Sequence, residues 1–317
     1  MEGFNLKAAK RTARVAIDGN CLFNKQMILL GLLPGMLLYI LFRVGPSVAT
    51  FVFSFTDISS IPGAAVHFIG LDNYKEILFQ ANARDTLQAL VRTIEFSFFT
   101  TVIQTAISLF LAIILCKKFV RGKNFYRAVI FLPTILGTTV TGLCFKLFFS
   151  KDGLASSFLG LFGVSSNFFG DFNLAFKLVI FCQIWASVGY EMVIFIAGLQ
   201  NIPSDLYEAA SIDGANEWQA FWRVTLPQLW PTVMVNLLVC IVGSLSAFQI
   251  IMVTTGGTPQ TRTLAMQIYQ VAFGIGQRTP NTGRQGLASA MSMLLFVFIL
   301  AATILSQYVM NKFNKED

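Results

Sequence analysis

The chain has 317 residues, 55% of them apolar and only 12% charged, with a net charge of +7. A water-soluble domain carries about twice that charged fraction, which disfavours a soluble, all-helical core; the length of the apolar runs decides against it. The basic excess is modest, and as shown below it falls where membrane orientation requires it, which leaves no call for a nucleic-acid partner.

The 32 Phe residues fit the same reading, because Phe is cheap to expose to lipid. Six apolar runs approach the roughly 20 residues that a helix needs to cross a hydrocarbon core. They cover 27–55, 93–116, 127–149, 175–198, 229–254 and 286–310. The expected fold is all-α: a polytopic membrane protein with six transmembrane helices in one domain, 27–317, behind a basic tail, 1–26. The first run contains Pro34, Arg43 and Pro46, which predict a kink or a tilt. It is also far too long for a cleavable signal. Cys21, Cys116, Cys144, Cys182 and Cys240 are scattered without a CxxC pair and read as small hydrophobes. The single histidine, His67, lies in a loop, so a histidine-built catalytic or metal site is not expected.

Orientation follows from Lys and Arg. The tail carries Lys7, Lys10, Arg11, Arg14 and Lys25, and the 117–127 loop carries Lys117, Lys118, Arg121, Lys123 and Arg127 with no acid. Both are assigned to the cytoplasm. Six crossings then put both termini there, in agreement with Lys312 and Lys315, and put the 199–228 loop on the same side. The tail itself has two readings: a helix on an anionic leaflet, built from Phe4, Leu6, Val15 and Ile17, or a basic segment that only sets orientation. The 255–285 loop falls outside, yet carries Arg262, Arg278 and Arg284 without an acid.

The 199–228 loop is the most informative stretch. Ser204 is a helix N-cap candidate and Asp205 suits a first turn. A helix to Asp213 stops at Gly214, and Asn216 with Gln219 forms a capping box for a second helix. Pro227 ends that helix or starts the next crossing. Glu208 and Asp213 place acid where Lys and Arg are expected. The loop is either an amphipathic connector or the contact site of a specific partner.

The string Glu208-Ala209-Ala210, then Gly214, then Val224 and Leu226-Pro227, resembles the EAA motif of importer permeases of the ATP-binding-cassette class. With Leu206-Tyr207 before it and Ile212-Asp213-Gly214-Ala215 within it, the stretch is similar to the carbohydrate-uptake branch. So are Gly70-Leu71-Asp72-Asn73-Tyr74, Thr255-Gly256-Gly257-Thr258-Pro259, Ile268-Tyr269 with Ala272-Phe273, and Gly286-Leu287-Ala288-Ser289-Ala290. The resemblance runs from about residue 30 to the end.

The resemblance implies a permease subunit in a prokaryotic inner or plasma membrane that docks ATPase subunits through Glu208, Ala209, Ala210, Asp213, Gly214, Ala215, Leu226 and Pro227. It implies a second homologous permease as a heterodimeric partner, two cytoplasmic ATPase subunits and an extracytoplasmic solute-binding protein. The substrate implied is a sugar or oligosaccharide. No GxxxxGK[ST] loop is present, so ATP and Mg are expected in the partner ATPases and no cofactor or metal in this chain. Intramembrane polar groups are the pathway candidates: Gln183, Trp185, Tyr190, Glu191, Asn236, Ser244, Ser246 and Gln249. For each, interhelical hydrogen bonding is the competing role. Arg262, Arg278 and Arg284 are candidates for contact with the binding protein or with an anionic substrate. An ion-driven secondary transporter is the alternative. An integral membrane enzyme is disfavoured, because no loop presents a nucleophile with its base or paired carboxylates with metal-ligand spacing.

Overall fold

The structure is a computed structural model that describes residues 25–80, 82–117, 120–162, 166–275 and 283–313. Residues 1–24 of the basic tail, on which its two readings rest, lie outside these residues together with Cys21, as do Lys118, Arg278 and Lys315. Among the described residues the chain is helical, without strands and with one isolated bridge between Thr56 and Phe68. It divides into two units, up to Val52 and from Phe53 onward.

The first unit holds α1 (Lys25–Tyr39), a wide π-turn at Ile40–Val44 and the start of α2 (Gly45–Phe53). Residues Gly31–Phe53 are long and apolar enough to cross a membrane. The irregularity expected from Pro46 takes the form of that π-turn. A proline ring clashes with the carbonyl of the residue four before it, here Phe42, and a widened turn relieves the clash without breaking the helix. Ser47 and Thr50 donate to the Arg43 and Pro46 carbonyls, each at 2.8 Å, so neither hydroxyl is left unpaired in an apolar run.

The second unit is organised on α4 (Ala83–Cys116), which packs against α8 (Ala175–Gln200) and α11 (Leu226–Leu245). The buried face of α4 is polar: Thr93, Ser97, Thr100, Thr101, Gln104, Thr105 and Ser108 point inward, while Phe98, Phe99, Val102 and Phe110 are exposed. Hydrocarbon offers no apolar drive for helices to associate, so they conceal hydrogen-bonding groups from it instead. Two apolar clusters flank this polar stripe. One gathers Phe96, Val179, Cys182, Ile250, Ile251 and Met266; the other gathers Ala112, Met192, Phe195, Leu229 and Val233.

Two glycines fix α8 against its neighbours. A Cβ at Gly189 would run into the Ile130 carbonyl oxygen of α5 (Lys123–Ile135), and one at Gly198 would lie 2.6 Å from Thr232 Oγ1 and 2.8 Å from Leu229 on α11.

Two of the expected runs are broken. The 127–149 run forms α5 and α6 (Thr138–Phe148), bent by 95° where Pro133 disrupts the last turn of α5 and Gly137 takes φ +74°. The 229–254 run leaves the helix at Ser246–Phe248 and restarts as α12 (Gln249–Thr254). No proline or glycine lies within that second break itself. It is imposed by packing, because the turn lets Ile250 and Ile251 bury fully. Among the described residues five helices are long and apolar enough to cross a membrane, or six when the bent pair counts as one crossing.

A third cluster, around Ile77, Val271, Leu287 and Met291, is formed by α3 (Asp72–Phe79), α13 (Leu264–Phe273) and the start of α14 (Gln285–Phe313). Asn73 Nδ2 donates to the Ser54 and Thr56 carbonyls at 3.0 and 2.9 Å. Gly286 N–H donates to Ile58 O at 2.9 Å, and a Cβ at Gly286 would run into Thr56 O. Gly286→Ala is therefore expected to destabilise the protein by about 1–3 kcal/mol, the usual cost of overpacking. Gly243→Ala in α11, where a Cβ meets nothing within 4 Å, is the control expected to be neutral or stabilising. Melting temperatures of the two purified variants check this.

Candidate functional site

In the 199–228 loop, α9 spans Ser204–Ile212. Pro203, not Ser204, occupies the N-cap position, and Ser204 makes no cap bond; it is already the first helical residue. The C-terminus closes as expected. Gly214 sits at φ +77°, its N–H reaches Ser211 O at 3.1 Å, and the Ala215 N–H reaches Ala210 O at 2.9 Å. That double bond is the Schellman closure, which needs a residue at ease in the left-handed region. The capping box is present: Gln219 N–H donates to Asn216 Oδ1 at 2.8 Å and Asn216 N–H to Gln219 Oε1 at 2.9 Å.

The second helix, α10 (Glu217–Ala220), does not stop at Pro227. It continues through a π-turn at Phe221–Thr225 into α11, giving one helix from Glu217 to Leu245. The same device as at Pro46 accommodates Pro227, whose ring faces the residue four before it, Arg223. Tyr207 Oη lies 3.1 Å from Thr225 Oγ1 and so ties α9 to this turn, while Lys117 Nζ at the end of α4 donates to Glu217 at 2.7 Å. Glu208, Ala209, Asp213, Gly214 and Pro227 are exposed, and Ala210, Ala215 and Leu226 are half-buried. Trp218 and Trp222 are exposed too, stacked edge-to-face 5.7 Å apart.

The pathway candidates do not form one group. Glu191 is 1% exposed, enclosed between α4, α8 and α11. Gln104 Nε2 donates to its Oε1 at 2.9 Å, Ser108 Oγ lies 3.4 Å from its Oε2, and Asn236 Nδ2 reaches its main-chain oxygen at 3.5 Å. Ser244 meets Ser97 at 2.7 Å. Glu191, Asn236 and Ser244 thus share the interhelical seam of α4. Trp185 and Tyr190 lie elsewhere, because each step along a helix turns about 100°. Both are exposed, with Trp185 edge-on to Phe145 at 5.1 Å. Gln183 donates to Ser187 at 3.1 Å on its own helix, and Ser246 and Gln249 are exposed at the break before α12.

The basic 255–285 loop is not uncompensated, because it folds against the 56–92 segment, whose mixed charges include the carboxylates of Glu76 and Asp85. Arg284 grips Glu76 with two bonds of 2.6 Å, and Arg262 lies 3.5 Å from Asp85. The Arg284 hydrogen bonds hold the Glu76 carboxyl below its ordinary value of 4.5 against the opposing effect of burial. A carboxylate depressed in the folded state stabilises it above that ordinary value and ceases to do so as pH falls through the folded one. Glu76→Gln is expected to lower the melting temperature by a few degrees at pH 7. The gap to the unsubstituted protein should close as pH drops below about 4.5. A thermal-shift series in pH reads it directly.

The sequence matches the family described as binding-protein-dependent transport system inner membrane component over residues 27–315. The chain belongs to this family. The permease is 33% identical over 276 residues to the trehalose/maltose transport system permease protein MalF of Thermococcus litoralis, covering 86% of this chain and 90% of that one. It is 31% identical over 287 residues to the arabinooligosaccharides transport system permease protein AraP of Bacillus subtilis, covering 89% and 88%. It is also 31% identical to the sn-glycerol-3-phosphate transport system permease protein UgpA of Escherichia coli, covering 88% and 92%. Its fold matches that of a bacterial ABC transporter solved for import of the acidic polysaccharide alginate, with TM-score 0.75 at 20% identity, over 96% of this chain and 99% of that one. A second structure of an alginate transporter, in complex with its pentasaccharide-bound periplasmic protein, gives TM-score 0.78 at 20% identity over 92% and 96%.

Sequence reasoning missed the partners of Glu191 in this permease. The signal was present, as Thr93, Ser97, Thr100, Gln104 and Ser108 recur at helical spacing in an otherwise apolar run. It also read the arginine loop in isolation, without the carboxylates that a distant segment supplies.

Proposed function

We propose that this permease is one half of a heterodimeric pore importing a neutral oligosaccharide, powered by separate cytoplasmic ATPase subunits that bind ATP and Mg and fed by an extracytoplasmic solute-binding protein. The 199–228 loop carries this reading. It exposes Glu208, Ala209 and Gly214 on a helix closed by glycine, and it is bonded both to α4 and to the root of α11. Movement of a docked ATPase at that loop therefore reaches the bundle directly. The loop and both termini are assigned to the cytoplasm by the distribution of Lys and Arg.

Two of the relatives carry neutral sugars by name and one carries sn-glycerol 3-phosphate. The neutral class is favoured here because Arg262 and Arg284 each already face a carboxylate, Asp85 and Glu76. The test is reconstitution with both permeases, the ATPases and the binding protein. ATP-dependent uptake is then assayed for maltose, trehalose, arabino-oligosaccharides, alginate oligosaccharides and glycerol phosphate. Uptake by the permeases alone under an ion gradient would point to a secondary transporter instead. Preference for the anionic solutes would overturn the neutral assignment.

A further inference from the structure

Between α6 and α8 lies a short helix, α7 (Leu154–Gly160), that the transport reading leaves without a role. Its apolar side chains are turned outward: Leu154 is 73% exposed, Phe158 63%, Leu161 81% and Phe162 70%. In water such a patch is costly and marks an interaction site. At seven residues the helix is too short to cross a bilayer. Its polar groups are already satisfied within the chain. Ser150 donates to Leu147 O at 2.8 Å, Ser156 to Ser150 O at 2.7 Å and Ser157 to Gly153 O at 3.1 Å. A segment with no hydroxyl in need of water and an outward apolar face is suited to hydrocarbon.

The segment is also rigidly placed. At Gly153 the chain folds back so tightly onto the end of α6 that a Cβ would run into the Leu147 carbonyl oxygen and lie 2.6 Å from that of Phe148. Between α6 and α7 a groove of about 650 Å³ opens, with almost wholly apolar walls that include Phe148, Phe149, Leu154, Ala155 and Phe158. Its floor is Phe168, which is 5% exposed and has its ring tilted against that of Phe149, with centroids 5.2 Å apart. Phe168 takes φ +45°, a region that bulky residues avoid at a cost in strain. The fold accepts that cost to seat the ring.

We propose that this groove binds an acyl chain of a membrane phospholipid, with α7 lying in the plane of the leaflet as an interfacial anchor. The occupant follows from continuity. The groove's first wall, Phe148 with Phe149, is the end of the bent α5–α6 pair, which together is apolar enough to serve as one broken crossing, so a bilayer around that pair would reach the groove.

The test uses the complete importer in phosphatidylcholine–phosphatidylglycerol vesicles doped with a phosphatidylcholine that carries a diazirine on one acyl chain. Peptide mapping after illumination locates the label, with the Gln285–Tyr308 crossing as internal standard. Label is expected within residues 148–162. Ala155→Trp, which fills the groove from its buried side, should remove most of that label and leave the standard unchanged. Ser157→Trp fills it from the rim and serves if Ala155→Trp fails to assemble. Labelling confined to the long crossings, protection of 148–162 by the partner permease or the binding protein instead of by lipid, or a filled groove that labels like the unsubstituted one would each overturn the proposal.

Discussion

Gly214→Ala is expected to slow ATP-driven uptake a few-fold, and Gly214→Trp to abolish it, with both variants inserted normally in the membrane. The two substitutions share one penalty. Gly214 sits at φ +77°, where an L-residue costs about 1–2 kcal/mol. A Cβ at Gly214 meets nothing within 4 Å, so the Ala variant carries the backbone penalty alone. A further loss with Trp, in a variant that melts like the Ala one, is the mark of a surface that closes over the glycine from outside. The comparison therefore separates the backbone role from docking, and Gly214→Asn, which tolerates the left-handed region, should lie closest to the unsubstituted chain. Uptake and ATPase co-purification are the readouts. Equal transport by the Ala and Trp variants would mean that no partner covers the loop.

The second large effect concerns Glu191. Glu191→Ala strands the Gln104 amide in a buried seam and opens a cavity among α4, α8 and α11. An unsatisfied buried donor alone costs about 1–3 kcal/mol, and the cavity adds to it. The melting temperature of the assembled complex should fall by several degrees, and uptake with it. Glu191→Gln keeps the volume and an acceptor for Gln104, so it should melt near the unsubstituted complex. The pair also distinguishes two roles. A carboxylate that binds sugar would raise KM in the Gln variant at constant Tm; a carboxylate that joins helices would lower Tm in the Ala variant at constant KM. The bonds to Gln104 and Ser108 favour the second outcome.

Much of this was legible in sequence because the bilayer makes simple demands. Run length predicts crossings, and Gly214, Asn216 and Gln219 announce their turn and cap through local chemistry alone. What escaped was set by distant residues or by local breakers that an apolar run conceals. The break at Ser246–Phe248 has no breaker within it and is imposed by burial of Ile250 and Ile251. The 95° bend of the third run was hidden because a hydropathy window averages over Gly137. Ser204 lost the N-cap position because Pro203, in extended conformation at ψ 135°, already turns the chain into the helix. Glu191 could be picked out as an intramembrane acid, but the face it presents depends on α4, 87 residues away in sequence at Gln104. Arg262 and Arg284 looked unpaired only because Asp85 and Glu76 belong to another segment.

The continuity of the helix from Glu217 to Leu245 has a mechanical meaning. Its 29 residues make a rod of ~43 Å at about 1.5 Å per residue. Near its middle it is pinned where Gly198 presses on Leu229 and Thr232. A rod held there is a first-class lever with arms of similar length. One arm ends at the exposed loop; the other carries Asn236, Cys240 and Ser244. A docked partner that pushed on the loop would swing the far arm the opposite way by a comparable distance, which is the motion that the proposed ATPase coupling requires. The π-turn at Phe221–Thr225 lies in the driven arm, where its wider hydrogen-bonded rings give the lever a compliant wrist.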